Sequence, residues 1–236
     1  MKTYSFAYGS GTVELPLDEK NVIGELHGNA VAPLADIRAA LWASLDAPID
    51  SAPLCERARA GDTVTLVVSD MTRFWMRQDL VVPHLVDYLT ERCGVREEDI
   101  TIVIANGTHI GGDEQELRTL VTDAVYDRVK VKNHDCEAKD LVYLGTTPHG
   151  TPVSIDRTAA EADLVVCLGA VTHHVMAGFG GGRKSILPGI CNAATVNENH
   201  SYKAVSNPHA AAGVLDLKTK RAKSQVHGTP CVWLFV

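Results

Sequence analysis

The sequence of 236 residues lacks any run of about 18 apolar residues, the length at which a helix becomes able to cross a bilayer. Its N-terminal residues also lack the long apolar stretch of a signal peptide, so we expect neither membrane insertion nor export. The six cysteines show no Cys-x-x-Cys spacing, which argues against a disulfide framework and against a cysteine-rich zinc site. These absences predict a cytoplasmic protein without membrane contact.

An excess of positive charge is also missing. The formal net charge at pH 7 is −7, with 22 Lys and Arg against 29 Asp and Glu. Proteins that bind nucleic acid concentrate basic residues on one face, so this balance argues against a nucleic-acid partner. Apolar residues make up 45% of the chain and charged residues 22%, as in ordinary globular proteins. A chain of this length can form one large α/β domain or two small ones.

The order of secondary-structure patterns predicts an α/β fold. Glycines among short alternating stretches at the start of the chain predict small antiparallel N-terminal strands. Apolar, β-branched runs predict buried strands at 63–69, 99–105 and 164–169, and weaker strands at 129–131, 140–143 and 152–155. Helical spacing of apolar residues predicts helices at 36–45, 82–93 and 113–121. We therefore expect a mostly parallel, Rossmann-like sheet with helices on both faces, and Cys93 and Cys167 in its core.

Polar residues follow three of the predicted buried strands directly. They lie at 70–73, at 106–109 and in the long stretch after Gly169. Ligands of parallel α/β sheets bind at the carboxyl ends of the strands, where these three segments meet. The sequence therefore predicts a binding site formed by these three loops.

The third loop is rich in glycine and carries two adjacent cations. Gly178, Gly180, Gly181 and Gly182 leave backbone N–H groups unhindered for an anion, and Arg183-Lys184 adds positive charge. The glycines alone would fit a flexible surface loop equally well. A nucleotide-hydrolysing P-loop fits poorly, because Arg183 occupies its required second glycine and the run starts nine residues after the strand ends.

Three motifs in this region resemble the signature of the nickel-dependent lactate racemase family. They are His173-His174, then Ala177-Gly-Phe-Gly-Gly-Gly-Arg-Lys-Ser-Ile-Leu-Pro-Gly189, then Asn197-Glu-Asn-His200. The resemblance extends from about Gly9 to about Asp216. Members of that family carry a nickel pincer nucleotide, a mononucleotide derived from nicotinic acid and attached covalently to a lysine. Its two sulfurs and one carbon hold nickel together with a protein histidine.

The resemblance implies that Lys184 is the attachment lysine and His200 the nickel ligand. A lysine that forms a thioamide must attack as an uncharged amine, which partial burial and crowding by Arg183 would favour. Neutral imidazole with sulfur donors suits square-planar Ni(II). Outside this pattern, His200 would be interpreted as an ordinary surface or helix-face histidine.

The resemblance also implies a hydride-transfer mechanism with two acid–base residues. The substrate's α-hydrogen leaves as hydride while a base takes the hydroxyl proton, and return of the hydride to the other face inverts the centre. His109 and His174 are the candidates, because a histidine pKa lies near neutrality and the two follow different strands. The spacing of ten residues to Lys184 favours His174 over His173, which is expected to support the cofactor. We expect structural or exposed roles for the remaining histidines, at 27, 84, 134, 149, 209 and 227.

The first loop matches the Asp-x-x-Arg pattern of the family with Asp70 and Arg73. Arginine binds carboxylates bidentately, so Arg73 is expected to hold the substrate acid or a neighbouring phosphate. Cofactor contacts are expected from Asp70, from Thr72 to the nucleotide phosphate, and from the backbone of Gly180, Gly181 and Gly182. Standing alone, the loop would be interpreted as a turn with a surface salt bridge.

Two departures from the family pattern bear on the substrate. Phe74-Trp75 stands where the family often has Pro, and Ile110 stands where it often has Arg. A bulkier, less polar pocket would favour a 2-hydroxy acid other than lactate. The expected partners are a small 2-hydroxy acid and the enzymes that synthesise the cofactor.

Family members are longer and have a second domain. We expect residues 1–216 to form a cofactor-bearing domain and residues 217–236 to be a divergent tail, with the second domain missing. Three functions stay open: a racemase or epimerase of a 2-hydroxy acid, a truncated non-catalytic fragment that binds the cofactor or a partner subunit, and a phosphate-binding transferase that uses no metal.

Overall fold

The structure is a computed structural model that describes residues 1–148, 150–174 and 177–206, and the backbone of short strands at 215–216, 221–222 and 231–235. The chain divides into two compact units, Met1–Ala35 and Asp36–Val236. The predicted boundary at residue 216 stays a prediction, because most of the residues around it lie outside the described part.

The first unit contains one β-hairpin. Strands β1 (Lys2–Tyr8) and β2 (Gly11–Leu17) pair in antiparallel register, with Lys2 opposite Leu17. Gly9 begins the two-residue turn at φ +58°, a conformation that favours glycine. The predicted antiparallel N-terminal strands are therefore confirmed.

The second unit alternates strands and helices. Its described helices are α1 (Ile37–Asp46), α2 (Leu54–Arg57), α3 (Val82–Glu91), α4 (Glu114–Val121), α5 (Asp123–Tyr126), α6 (Arg157–Glu161), α7 (Ala193–Asn199) and α8 (Tyr202–Val205). Its described strands are β3 (Val64–Ser69), β4 (Ile100–Ala105), β5 (Lys130–Asn133), β6 (Val142–Thr146), β7 (Pro152–Ile155), β8 (Leu164–Gly169), β9 (His173–His174), β10 (Gly178–Phe179), β11 (Leu215–Asp216), β12 (Arg221–Ala222) and β13 (Cys231–Phe235).

A parallel sheet in the order β13-β8-β3-β4-β5 forms the centre of this unit. Val67 in the middle strand pairs with Val103 of β4 and with Cys167 of β8. Strands β3 and β8 are buried along nearly their whole length because both faces of the sheet are covered. The predicted α/β class with a parallel sheet is confirmed.

Two hydrophobic cores lie on opposite faces of the sheet. Leu66 and Ile102 pack with Leu85 and Leu89 of α3 on one face, together with residues of α1 and α4. On the other face, Val67, Val103 and Cys167 pack with the antiparallel hairpin β6–β7 and with α6 and α7. Neighbouring strand residues serve opposite cores because side chains alternate between the faces. Cys93 and Cys167 are both buried, as predicted.

The predicted helices are observed with small shifts at their ends. Asp36 and Asp113 accept hydrogen bonds from backbone N–H groups of the first turns of α1 and α4. Each such cap contributes about 1 kcal/mol to stability. Helix α3 ends at Glu91, slightly earlier than predicted, and Gly94 follows at φ +73°.

Among the three weaker strands, β7 has its predicted bounds of 152–155 and the other two differ. Strand β5 spans 130–133 instead of 129–131, and β6 spans 142–146 instead of 140–143. Strand β5 pairs only with β4 in the described sheet and is rich in lysine and asparagine, so its apolar pattern does not mark its ends. Strand β13, within the expected divergent tail, was not predicted and pairs with β8.

The longest helices in the described ranges, α1 and α3, have ten residues each. Ten residues rise about 15 Å, half of the roughly 30 Å of a hydrocarbon core. None of the helices among the described residues could span a membrane.

Candidate functional site

The three predicted loops leave adjacent strands of the sheet. The first follows β3, the second follows β4 and the third follows β8, and β3 lies between the other two. Parallel strands present their carboxyl ends at the same edge, so the loops converge there.

The first loop is fixed to its strand by Gln78. The side chain of Gln78 is 1% exposed and forms two hydrogen bonds with the backbone of Ser69. Its Oε1 accepts from the Ser69 N–H over 3.1 Å, and its Nε2 donates to the Ser69 carbonyl over 2.8 Å. The chain between them forms a 3₁₀ helix, Met71–Met76, and Arg77 turns it back in the left-handed region at φ +52°. This arrangement holds the loop against the end of β3.

Asp70 joins the first loop to the second. Its Oδ2 lies 2.5 Å from Nδ1 of His109, and its Oδ1 accepts from the hydroxyl of Thr72 over 2.6 Å. The guanidinium of Arg73 donates to the same hydroxyl. Asp70 is 7% exposed, whereas the His109 ring is about half exposed. Because the carboxylate only accepts, Nδ1 of His109 carries a proton, and the lone pair of the neutral ring lies on Nε2.

The second loop is anchored from both sides. The buried Asn106 donates through Nδ2 to the side chain of Asn133 over 3.0 Å and to the carbonyl of His134 over 3.1 Å. Gly107, at φ +57°, donates its backbone N–H to the carbonyl of Gly189 over 2.8 Å. The second loop is therefore tied to the segment that follows Lys184.

The third loop contains a short hairpin and a tight turn. Strands β9 and β10 pair so that Gly178 faces His174 and Phe179 faces His173. The chain then passes through Gly181 and Gly182, both at positive φ, into the 3₁₀ helix Gly182–Ser185 that carries Lys184. The side chain of His173 lies outside the described part of the structure, so its expected role is untested.

Close packing requires a glycine at the end of this turn. A Cβ on Gly189 would lie 2.2 Å from the carbonyl oxygen of Ser185 and 2.9 Å from Cβ of Ala105. A methyl group does not fit at these distances. The missing side chain lets the Lys184 turn close against the end of β4.

Lys184 contacts His174 directly. Its Nζ lies 2.8 Å from Nε2 of the imidazole, while Nδ1 of the same ring accepts from the backbone N–H of Ala177 over 3.1 Å. Both side chains are partly buried. The structure thus brings together two residues that the sequence assigns to different roles.

Burial and nearby cations favour the uncharged forms of this pair. Partial burial lowers the pKa of Lys184, and the positive charge of Arg73 lowers it further. Burial likewise lowers the pKa of His174, with further contributions from Lys184, Arg73 and His200. The positive charge of Arg73 reaches Lys184 from the first loop, which the sequence did not suggest. These charges place the first loop, the Lys184 turn and the end of α7 in one site.

His200 ends α7 with one ring nitrogen engaged. Its Nδ1 lies 3.1 Å from the carbonyl of Val196, so Nδ1 carries the proton and Nε2 keeps its lone pair. Histidines that bind metals commonly donate their other N–H in this way. The described residues contain no group of three or more His, Cys, Asp or Glu able to hold a metal ion. A cofactor that brings three donors of its own requires only one protein ligand, which this histidine fits.

A buried polar network lies behind the site. His134 lies between the carboxylate of Asp156, 3.3 Å from its Nδ1, and the carbonyl of Cys191, 2.9 Å from its Nε2. Lys132 donates to the same carboxylate over 3.0 Å. Burial alone would raise the pKa of Asp156, but the hydrogen bonds from His134 and Lys132 outweigh it and lower the pKa to about 2. The network connects β5 to the segment after Lys184.

Sequence patterns singled out Asn106 as part of the second loop, but not three other residues that hold the site, namely Gln78, Asn133 and Asp156. Polar residues in loops carry no periodicity, and their importance follows from burial that only the fold reveals. The six remaining histidines fit the expected structural or exposed roles where they are described: His134 is buried and His27 is exposed. His149, His209 and His227 lie outside the described residues.

A histidine–carboxylate pair and a partly buried lysine–histidine pair lie in the loops at the carboxyl edge of a parallel sheet, where ligands of α/β domains bind. A family profile described as the lactate racemase N-terminal domain matches residues 8–213. The chain therefore belongs to the lactate racemase N-terminal domain family, and the resemblance seen in the sequence is confirmed.

Two curated relatives are lactate racemases. The protein of Thermoanaerobacterium thermosaccharolyticum is 29% identical over 219 residues, and that of Lactiplantibacillus plantarum is 31% identical over 219 residues. The alignments cover 92% and 91% of this chain and 51% of each relative. The chain thus spans about half the length of the curated relatives it matches.

Solved structures agree with this relationship. The lactate racemase apoprotein from Thermoanaerobacterium thermosaccharolyticum matches with a TM-score of 0.79 at 28% identity, over 92% of this chain and 51% of that one. A Thermotoga maritima protein matches with a TM-score of 0.53 at 23% identity, over 68% of this chain, which shows the fold alone.

Proposed function

We propose that this chain is the cofactor-bearing part of a racemase or epimerase of a 2-hydroxy acid. The cofactor would be a nickel pincer nucleotide attached to Lys184. The observation that carries the proposal is the partly buried lysine, with a lowered pKa, held at 2.8 Å from His174 in a member of the lactate racemase N-terminal domain family. Acylation of a lysine requires an uncharged amine, and this environment favours one.

When bound, the cofactor would supply a hydride acceptor and its metal. The protein supplies the proton transfers. His109 would take the substrate hydroxyl proton at Nε2, which is supported by the bond from Nδ1 to Asp70 that orients the ring. His174 would serve as the second acid–base group and would donate the proton of Nε2, because Nδ1 already accepts from the backbone N–H of Ala177.

Several residues would hold the ligands. Arg73 is expected to bind the substrate carboxylate, and its charge already acts on both Lys184 and His174. Thr72 and Asp70, with the backbone of Gly180, Gly181 and Gly182 and with His173, are the proposed cofactor contacts. His200 is the proposed nickel ligand through Nε2, since Nδ1 is engaged with the carbonyl of Val196.

The loops carry apolar side chains that bear on the substrate. Trp75 is 61% exposed and Ile110 is 97% exposed, each beside a proposed site residue. In a 3₁₀ helix, side chains three residues apart lie on the same side, so Trp75 lies on the side of Thr72. A substrate with a larger, less polar side chain than that of lactate would cover these groups. We therefore propose a 2-hydroxy acid of that kind as the preferred substrate.

A second candidate function is binding of the cofactor or of a partner subunit without catalysis. The Lys184–His174 contact would serve attachment of the cofactor whether or not catalysis follows. The proposed partners in either case are the cofactor-synthesising enzymes, and the cytoplasmic location stays a prediction.

Intact-mass and peptide mass spectrometry after co-production with the cofactor-synthesising enzymes tests the proposal. We expect an adduct that contains nickel and sulfur on Lys184, no adduct in Lys184→Arg, and a normal adduct in Lys203→Arg, which alters an exposed lysine of α8. Absence of the adduct from a folded chain produced together with those enzymes would contradict the proposal. A racemisation assay on the loaded chain, with lactate and with larger 2-hydroxy acids, then separates the enzyme from the carrier fragment.

A further inference from the structure

The hydrogen bonds of His174 determine which ring nitrogen carries its proton. The backbone N–H of Ala177 donates to Nδ1 over 3.1 Å, so Nδ1 presents a lone pair. A neutral imidazole carries one proton, which must then lie on Nε2. Burial lowers the pKa of His174, which keeps the ring neutral.

This tautomer has a consequence for Lys184. The N–H at Nε2 of His174 faces Nζ of Lys184 over 2.8 Å. An uncharged amine accepts that hydrogen bond through its lone pair. An ammonium group has three donors and no acceptor. Its N–H group would meet the N–H at Nε2 of His174 with no lone pair between them. The contact is therefore satisfied only by the uncharged amine.

The groups around the Lys184–His174 pair also favour the uncharged amine. Partial burial disfavours the charged amine, and Arg73 faces the pair from the first loop. The guanidinium of Arg73 also lowers the pKa of His174, so it penalises additional positive charge at both members of the pair.

We propose that, before any cofactor is attached, His174 holds Lys184 as an uncharged amine through a ring tautomer fixed by the backbone of Ala177. His174 thus acts as a positioning residue during attachment, in addition to its proposed acid–base role. The purpose of this device rests on the proposed function, but its test does not, because an uncharged amine reacts with any small acylating reagent.

Acetic anhydride is a suitable probe. Nζ forms a bond to one carbonyl carbon, the bond from that carbon to the bridging oxygen breaks, acetate leaves with the electron pair, and the nitrogen gives up one proton to solvent. The rate measured for each lysine over a range of pH reports the fraction of uncharged amine.

The first measurement is the tautomer of each histidine by ¹⁵N NMR of the unloaded chain. We expect His174 to carry its proton on Nε2. His109 and His200, whose Nδ1 atoms face a carboxylate and a carbonyl, are expected to carry theirs on Nδ1 and serve as internal references. A proton on Nδ1 of His174 would overturn the proposal.

The second measurement is trace acetylation of the unloaded chain with mass spectrometric analysis of every lysine. We expect Lys184 to label at a lower pH than exposed lysines such as Lys20. His174→Gln should lower Lys184 labelling near neutral pH by about fivefold, since the Gln carbonyl can accept from an ammonium and the loss is that of one hydrogen bond. His27→Gln, which alters an exposed histidine, should leave the labelling unchanged.

The acetylation rate of Lys132 reports whether each variant is folded. Its amine donates a hydrogen bond to the buried carboxylate of Asp156, so Lys132 should be acetylated slowly in a folded chain. Unchanged Lys184 labelling in a folded His174→Gln variant would refute the positioning role. If that variant unfolds, the tautomer of His174 in the unaltered chain decides whether the proposal stands. A reactive Lys184 that takes up no cofactor would contradict the proposed function and leave this inference standing.

Discussion

Nδ1 of His109 lies 2.5 Å from Oδ2 of Asp70, across the space between the first and second loops. This contact places the proton of His109 on Nδ1, whereas the backbone of Ala177 places the proton of His174 on Nε2. The two proposed acid–base histidines therefore begin in opposite tautomers. Only His109 presents a lone pair at Nε2, so we assign to it the first proton abstraction from the substrate.

Asp70→Asn should abolish the difference in tautomer between His109 and His174. The amide of Asn can donate to Nδ1, which moves the proton of His109 to Nε2 and removes the base. We expect the NMR signature of His109 to change tautomer, and racemisation by the loaded chain to fall by about 10²–10⁴-fold. Attachment at Lys184 should fall much less than racemisation, because Asp70 is one of several proposed cofactor contacts and Lys184 is held by His174.

Asp79→Asn is the matched control. Asp79 lies near the same loop and pairs with Arg77 instead of a site residue. It should leave the tautomer of His109 unchanged. If Asp70→Asn also left the tautomer unchanged, the proposed orientation of the base would be wrong.

Gly189→Ala tests the packing of the turn that carries Lys184. The added Cβ would lie 2.2 Å from the Ser185 carbonyl oxygen, so the turn must move away from the end of β4. We expect the free energy of unfolding to fall by about 1–3 kcal/mol, as for other overpacked sites, and cofactor attachment to fall with it. Urea unfolding measures the first effect and intact mass the second. Gly28→Ala, where no atom lies within 4 Å of the added Cβ, should change neither.

Much of the scaffold could be predicted from the sequence because burial on both faces leaves a continuous apolar signal. Strand β8 was predicted with its observed bounds, and β3 and β4 within one residue. The convergence of the three loops followed from parallel topology alone. Strands β5 and β13 were harder to predict. Strand β5 is an edge strand rich in lysine, and β13 pairs with a strand far away in the chain, so both leave weak local patterns.

Gln78→Ala tests the attachment of the first loop. Gln78 satisfies both backbone groups of Ser69 in a site that is 1% exposed, so truncation leaves a buried N–H and a buried C=O unpaired. We expect a loss of about 2–4 kcal/mol in the free energy of unfolding and faster amide hydrogen exchange in the first loop. Gln115→Ala, on the exposed side of α4, should have neither effect. Equal exchange rates in the two variants would rule out this role.

The roles of the candidate site residues stay predictions, but the structure adds contacts between them that the sequence could not supply. The sequence singled out Lys184, His174, Arg73 and His109, and named Arg183 as the cation near the lysine amine. In the structure the charge of Arg73, more than a hundred residues away in the chain, also lowers the pKa of Lys184. Contacts across loops depend on the directions of side chains, which spacing along the chain does not determine.

The network around Asp156 provides a prediction on pH. The pKa of Asp156 is lowered from 3.8 to about 2, so its carboxylate stabilises the folded chain at any pH above the unfolded value. This contribution is about 2 kcal/mol and should be lost as the pH falls from roughly 4 to 2. Asp156→Asn should therefore be less stable than the unaltered chain near neutral pH, and the difference should shrink through that acidic range. Urea unfolding at a series of pH values measures it, with Asp123→Asn, an exposed carboxylate, as the control. A stability difference that stays constant with pH would mean that Asp156 acts through packing instead of charge.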